Sequence, residues 1–99
     1  MTKIEWSQRA VDNLHSIEDY IAADSPIQAK KVVNEIISRV EDLQVFPEIG
    51  SPVLEFPEMN LRQLIKYSYR IIYSYDGKVV HIITVIHGKR DFTKAFFDK

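Results

Sequence analysis

The side chains with the greatest chemical reach gather late in this sequence. Arg62, Lys66, Arg70, His87, Lys89 and Arg90 all follow Asn60, and residues 60–99 hold 8 Lys+Arg against 3 Asp+Glu, a balance of +5. Residues 1–59 hold 5 against 11, a balance of −6, so the formal net charge of −1 conceals two parts of opposite sign. Concentrated positive charge draws an anionic partner, either nucleic acid or an acidic protein segment. The acidic part has an equally simple source, since helices carry Glu and Asp on solvated faces. Thiolate chemistry is excluded, because the sequence contains no cysteine and so has no disulfide, sulfur nucleophile or thiolate metal site. His15, His81 and His87 are scattered and not at zinc-ligand spacing, so no metal and no cofactor are expected.

Whether Arg70 and His87 act together depends on strand pairing. Tyr69 to Tyr75 and Lys78 to His87 alternate with period two and flank Asp76-Gly77, a strong signal for a type I′ hairpin. With Asp76 and Gly77 as the loop, Tyr75 opposes Lys78, and Tyr73, Ile72, Ile71 and Arg70 oppose Val80, His81, Ile82 and Ile83. One predicted face then carries Tyr69, Ile71, Tyr73, Val80, Ile82, Thr84 and Ile86 and packs on helices. The other carries Arg70, Ile72, Ser74, Val79, His81, Ile83, Val85 and His87. Arg70 and His87 are thus expected to point the same way, at the end of the sheet where Lys89 and Arg90, directly after Gly88, add charge.

The upstream elements must shield the opposite face. Lys3 to Trp6 reads as a short extended segment, and Ser7 is placed to cap a helix with apolar positions Ala10, Leu14, Ile17 and Ile21. Asp24-Ser25-Pro26 ends it and starts another, with Ser25 as cap and Pro26 at the first helical position. Ala29, Val32, Val33, Ile36, Ile37, Val40 and Leu43 form the stripe of this second helix, making a helical hairpin. Phe46-Pro47 stops it, and Gly50, Pro52 and Pro57 keep the next segment irregular, before a strand from Leu61 to Lys66. At 99 residues, 45% hydrophobic and 27% charged, the chain reads as a single domain over 1–99 of α+β class. The expected architecture is an N-terminal strand and an antiparallel helical hairpin packed on one face of an antiparallel sheet. The longest apolar run, Val79 to Ile86, is broken by His81 and Thr84 and far too short for a membrane span. Met1 to Gln8 lacks an apolar signal core, so a cytoplasmic protein is expected.

Several local patterns occur together and in order: Trp6 before the first helix, Tyr20-Ile21-Ala22 with Asp24-Ser25-Pro26, and Phe46-Pro47-Glu48-Ile49-Gly50. Tyr69-Arg70-Ile71-Ile72-Tyr73 and Val85-Ile86-His87-Gly88-Lys89-Arg90-Asp91 follow. In that combination the chain resembles the RelE/ParE toxin superfamily of type II toxin-antitoxin systems over essentially its full length, and looks like its ParE branch. The resemblance implies a growth-inhibiting, plasmid-stabilising toxin, held inactive in a hetero-oligomer with a cognate antitoxin. ParE-like members inhibit DNA gyrase by protein contact; RelE-like members cut mRNA on the ribosome.

RNA cleavage must activate a 2′-hydroxyl, stabilise charge on the phosphate and protonate a leaving oxygen. Arg70 and Arg90 match arginines of the RelE pattern, and an imidazole titrates near neutrality, so His87 would be the acid or base. The remaining pattern is poorly met. Arg62 and Lys66 stand where RelE-type enzymes pair lysines, and Phe92, Phe96 and Phe97 stand where a tyrosine follows the last arginine. A phenyl ring transfers no proton. The ParE reading therefore assigns Arg62, Arg70, His87, Lys89 and Arg90 to target binding, and Phe92, Phe96 and Phe97 to a docking tail that an antitoxin would cover. The alternatives are a RelE-like interferase using Arg70, His87 and Arg90, and a non-toxic module that only binds antitoxin.

Overall fold

Two serines start the two helices. A computed structural model describes residues 1–88. In it α1 (Gln8–Ala22) begins where the Ser7 hydroxyl accepts from the Ala10 N–H at 3.0 Å, and α2 (Pro26–Glu41) where Ser25 accepts from Gln28 at 3.1 Å. Each cap satisfies a backbone donor that the first helical turn cannot pair internally. The buried positions are Ala10, Leu14 and Ile17 on α1 and Ala29, Val32, Ile36 and Val40 on α2, with Leu43 in the 3-10 turn that follows. This is the expected stripe, with Ile21, Val33 and Ile37 at its half-buried margin. Among the described residues no helix is long and apolar enough to cross a membrane.

The stripe packs on a five-stranded sheet of β1 (Lys3–Trp6), β2 (Ser51–Pro52), β3 (Arg62–Lys66), β4 (Tyr69–Tyr75) and β5 (Val79–His87), in the order β1-β5-β4-β3-β2. Strands β2 to β5 pair antiparallel, but β1 joins β5 in parallel, so the sheet is mixed rather than purely antiparallel. Four residues without a turn signal do not specify which edge they join, or in which direction. The segment expected to be irregular also contributes β2, the edge strand beside β3.

The β4–β5 pairing corrects the expected register twice. First, the turn centres on Gly77-Lys78: the Asp76 N–H donates to Val79 O at 3.3 Å, and Gly77 takes φ +94° at the first loop position. The Asp76 carboxylate accepts from the Lys78 and Val79 N–H groups, both at 2.8 Å, and these bonds hold its pKa at about 2. Tyr75 therefore opposes Val80, and Tyr73 opposes Ile82. This shift moves every partner by two and leaves the faces unchanged. Second, the register slips between Ile72 and Tyr73, which face Thr84 and Ile82, leaving Ile83 as the extra residue of a bulge. That odd slip exchanges the faces of everything beyond it. Val85 joins the helix-side core with Ile71, while Ile86 joins Ile72, Val53 and Leu61 in a second cluster on the outer face.

The bulge lies where β1 ends. Beyond Trp6 the exposed edge of β5 is met by the start of α1: Ser7 N donates to Ile82 O at 2.9 Å and its hydroxyl to Ile83 O at 2.8 Å. Asn13 Oδ1 then accepts from Val85 N at 2.9 Å and from the Thr84 hydroxyl at 2.7 Å. An unpaired backbone N–H in such a place is costly. Replacing Asn13 with alanine is expected to cost about 1–3 kcal/mol, read from urea unfolding. A change within about 0.3 kcal/mol, far below that of a lost buried partner, would mean that α1 does not hold the bulge.

Candidate functional site

The bulge decides which polar groups meet. Arg70 opposes Ile86 on β5 and Ile65 on β3, which places it on the outer face, away from the helices. Its Nε donates to Gln63 Oε1 at 2.7 Å, and its Nη1 and Nη2 donate to the two carboxylate oxygens of Glu55 at 2.8 and 3.0 Å. Such a bidentate pair uses the planar fork of the guanidinium fully. The Arg70 side chain is only 13% exposed, and its hydrogen bond holds the Glu55 carboxyl below the usual carboxylate range. Neither Gln63 nor Glu55 stands out in the sequence, because nothing local marks the loop that brings Glu55 back over the sheet.

His87 opposes Tyr69 and meets its ring edge-on, with centroids 5.6 Å apart and planes at 81°. Tyr69 borders the helix-side core, so His87 leaves the opposite face from Arg70. The expectation that these two side chains share a face is corrected, and the cause is the single extra residue at Ile83. They approach only around the end of the sheet, where both border a shallow depression of ≈ 280 Å³ beside Ile65 and Tyr67.

Arg62 also serves a loop. It lies on the helix-side face opposite Tyr73, donates from Nη1 to Glu48 O at 3.0 Å and Gly50 O at 2.8 Å, and pairs with the Glu48 carboxylate at 3.6 Å. The neighbouring Tyr73 hydroxyl accepts from the buried Gly50 N–H at 2.9 Å, and burial pushes its pKa up. The Phe46-to-Gly50 pattern is therefore a loop fastened to the sheet by Arg62 and Tyr73. Lys66 pairs with Glu35 of α2 at 3.5 Å. His81 lies between Glu5 and Asp76, 3.5 and 3.4 Å away, and no group among the described residues has the makings of a metal site. Lys89, Arg90, Phe92, Phe96 and Phe97 lie outside the described residues.

A helical hairpin on one face of a sheet with a β3–β4–β5 meander is the architecture of the RelE/ParE superfamily, and comparisons with known proteins agree. Residues 4–92 match the family of the ParE toxin of the type II toxin-antitoxin system parDE. Toxin RelE2 of Caulobacter vibrioides is 30% identical over 92 residues, covering 91% of this chain and 99% of that protein. Putative toxin Y4kP of Sinorhizobium fredii is 30% identical over 94 residues, covering 94% and 95%. Among solved structures, the chromosomal ParDE system from P. aeruginosa aligns at TM-score 0.73 with 25% identity, over 88% of this chain and 96% of that one. The toxin-antitoxin complex RelBE2 from Mycobacterium tuberculosis shares the fold at TM-score 0.64 with 20% identity, over 87% and 96%. The chain belongs to the ParE toxin family of type II toxin-antitoxin systems.

Proposed function

We propose that this toxin acts in the ParE manner, arresting growth by protein contact with DNA gyrase rather than by cutting RNA. In this reading residues 1–99 form one toxin domain that works in the bacterial cytoplasm. A cognate antitoxin neutralises it through a segment that orders on binding and spreads over a large surface. The observation that carries the proposal is the separation of Arg70 from His87 by the bulge at Ile83, with the Arg70 fork already filled by Glu55. General acid-base chemistry on a phosphate needs cation and proton carrier convergent on one reacting group. These two diverge. The target surface we assign is the end of the sheet around the β3–β4 turn, with His87 and the following Lys89 and Arg90. Arg62 and Arg70 contribute through the loops they fasten.

The test compares two activities of the purified chain. Gyrase supercoiling of relaxed plasmid should stop at modest toxin excess and resume when antitoxin is added, while mRNA on translating ribosomes stays intact. Undisturbed supercoiling together with codon-positioned mRNA cuts would overturn the proposal in favour of a RelE-like interferase.

A further inference from the structure

Tyr67 sits in a backbone conformation that its own side chain opposes. The β3–β4 hairpin closes through Tyr67 and Ser68, between the paired Lys66 and Tyr69, and Tyr67 has φ +55°. Turn positions with positive φ favour glycine, asparagine or aspartate, and a bulky residue there crowds its own backbone. Backbone geometry at this turn gives no reason for a tyrosine. Nor does the core, because the residue is 47% exposed. Strained positions of this sort persist where surrounding structure fixes them, and they concentrate at functional sites.

The surroundings of Tyr67 do fix it. The Glu35 carboxylate on α2 raises the pKa of the Tyr67 hydroxyl, and Lys66 Nζ stands 5.2 Å from the ring centroid while pairing with Glu35 at 3.5 Å. On the far side of the turn, Gly88 N donates to Ser68 O at 2.5 Å. A clamped aromatic ring is thereby held out beside Ile65, itself 54% exposed, over the depression that runs to Arg70 and His87. Rigid exposed tyrosine beside cationic groups is the usual make-up of an interface hot spot. The charge balance of the sequence, rather than the cations beside the ring, which Glu35 and Glu55 already pair, indicates the partner. The turn belongs to the +5 part of the chain, and the sequence runs from Gly88 directly into Lys89-Arg90.

We propose that Tyr67 is the anchor by which this toxin grips its protein target, seating against a partner segment that presents an apolar side chain next to carboxylates. The inference rests on the reading above that the toxin acts by protein contact. It adds the residue and the chemistry of the surface it meets.

Tyr67→Asn in the full-length toxin separates the two demands on this residue, because asparagine tolerates the left-handed region. Thermal unfolding, affinity for the cognate antitoxin, growth arrest on induction and gyrase inhibition are measured side by side. The expected variant keeps its Tm or gains up to about 5 °C and binds antitoxin as wild type does. It needs at least about tenfold more toxin for arrest, the loss expected of a hot spot. Tyr67→Phe, which keeps the ring, should retain more activity than Tyr67→Asn. Undiminished arrest by Tyr67→Asn would overturn the proposal. So would a large fall in Tm, which makes the tyrosine structural, or an equal loss of antitoxin affinity, which makes the turn an antitoxin contact. If wild type arrests growth without touching supercoiling, the gyrase assignment fails while arrest still reports on Tyr67.

Discussion

Tyr73→Ala should bring the protein close to unfolding, with an expected loss of about 3–5 kcal/mol. A domain of this size holds only about 5–15 kcal/mol in total. Tyr73 is fully buried in the helix-side core, at the centre of the sheet. Its hydroxyl also satisfies the N–H of Gly50, whose approach is so close that an added Cβ would lie 2.7 Å from Tyr73 Oη and from Gln63 O. The substitution opens a cavity and frees the loop in one step. Tyr73→Phe separates these effects, because it keeps the ring and leaves only the Gly50 N–H without a partner, at a cost of about 1–3 kcal/mol. Urea unfolding of both variants provides the check. A Phe variant as stable as wild type would mean that the loop is not held by this bond.

Breaking the Arg70–Glu55 pair is the second large effect. Loss of one partner from a buried pair costs several kcal/mol, but Glu55 is 36% exposed, so solvent reduces the expected loss for Arg70→Ala to about 1–2 kcal/mol. Its pH dependence has a definite sign. Arg70 holds the Glu55 carboxyl below its ordinary value of 4.5, so the folded state binds that proton more weakly than the unfolded chain does. The contribution is fully present above about pH 4.5 and is lost as pH falls through the lower folded value. Wild type should therefore exceed Arg70→Ala and Glu55→Gln in stability at neutral pH and converge on them in acid. A gap that persists unchanged to pH ~3, below the unfolded carboxylate value, would contradict the ion-pair explanation. For a toxin acting by contact, these variants lose activity only as far as the loop loosens, whereas an RNA-cutting Arg70 would lose orders of magnitude.

Most of the scaffold was legible in the residues. Ser7, Ser25 and Pro26 signalled the helix starts through capping chemistry, and three- and four-residue spacing marked the buried stripe. Strand bounds also followed from alternation, because β3, β4 and β5 begin within a residue of where the period changes. The joint arrangement of Arg70 and His87 was not legible. A hairpin reading carries register outward from the turn and assumes one residue per rung, so it has no means of anticipating Ile83. What holds the bulge is tertiary: Ser7 and Asn13, distant in sequence, satisfy the β5 edge. Glu55 was invisible for the same reason, since a carboxylate in a proline-broken loop carries no mark of the guanidinium it will meet. Tyr67 did carry a local signal, a two-residue connection between strands, but one without the glycine that usually announces it.

The reading of this toxin as a binder rather than a cutter depends on the face each side chain takes after the bulge, and cross-strand NMR contacts in the full chain measure that directly. The register described here predicts nuclear Overhauser contacts between the rings of Tyr69 and His87 and between the side chains of Ile71 and Val85, with Arg70 close to Glu55 and Ile86. An unbulged ladder that sets Ile71 against Ile82 and brings the Arg70 guanidinium to the His87 imidazole on one face would contradict it.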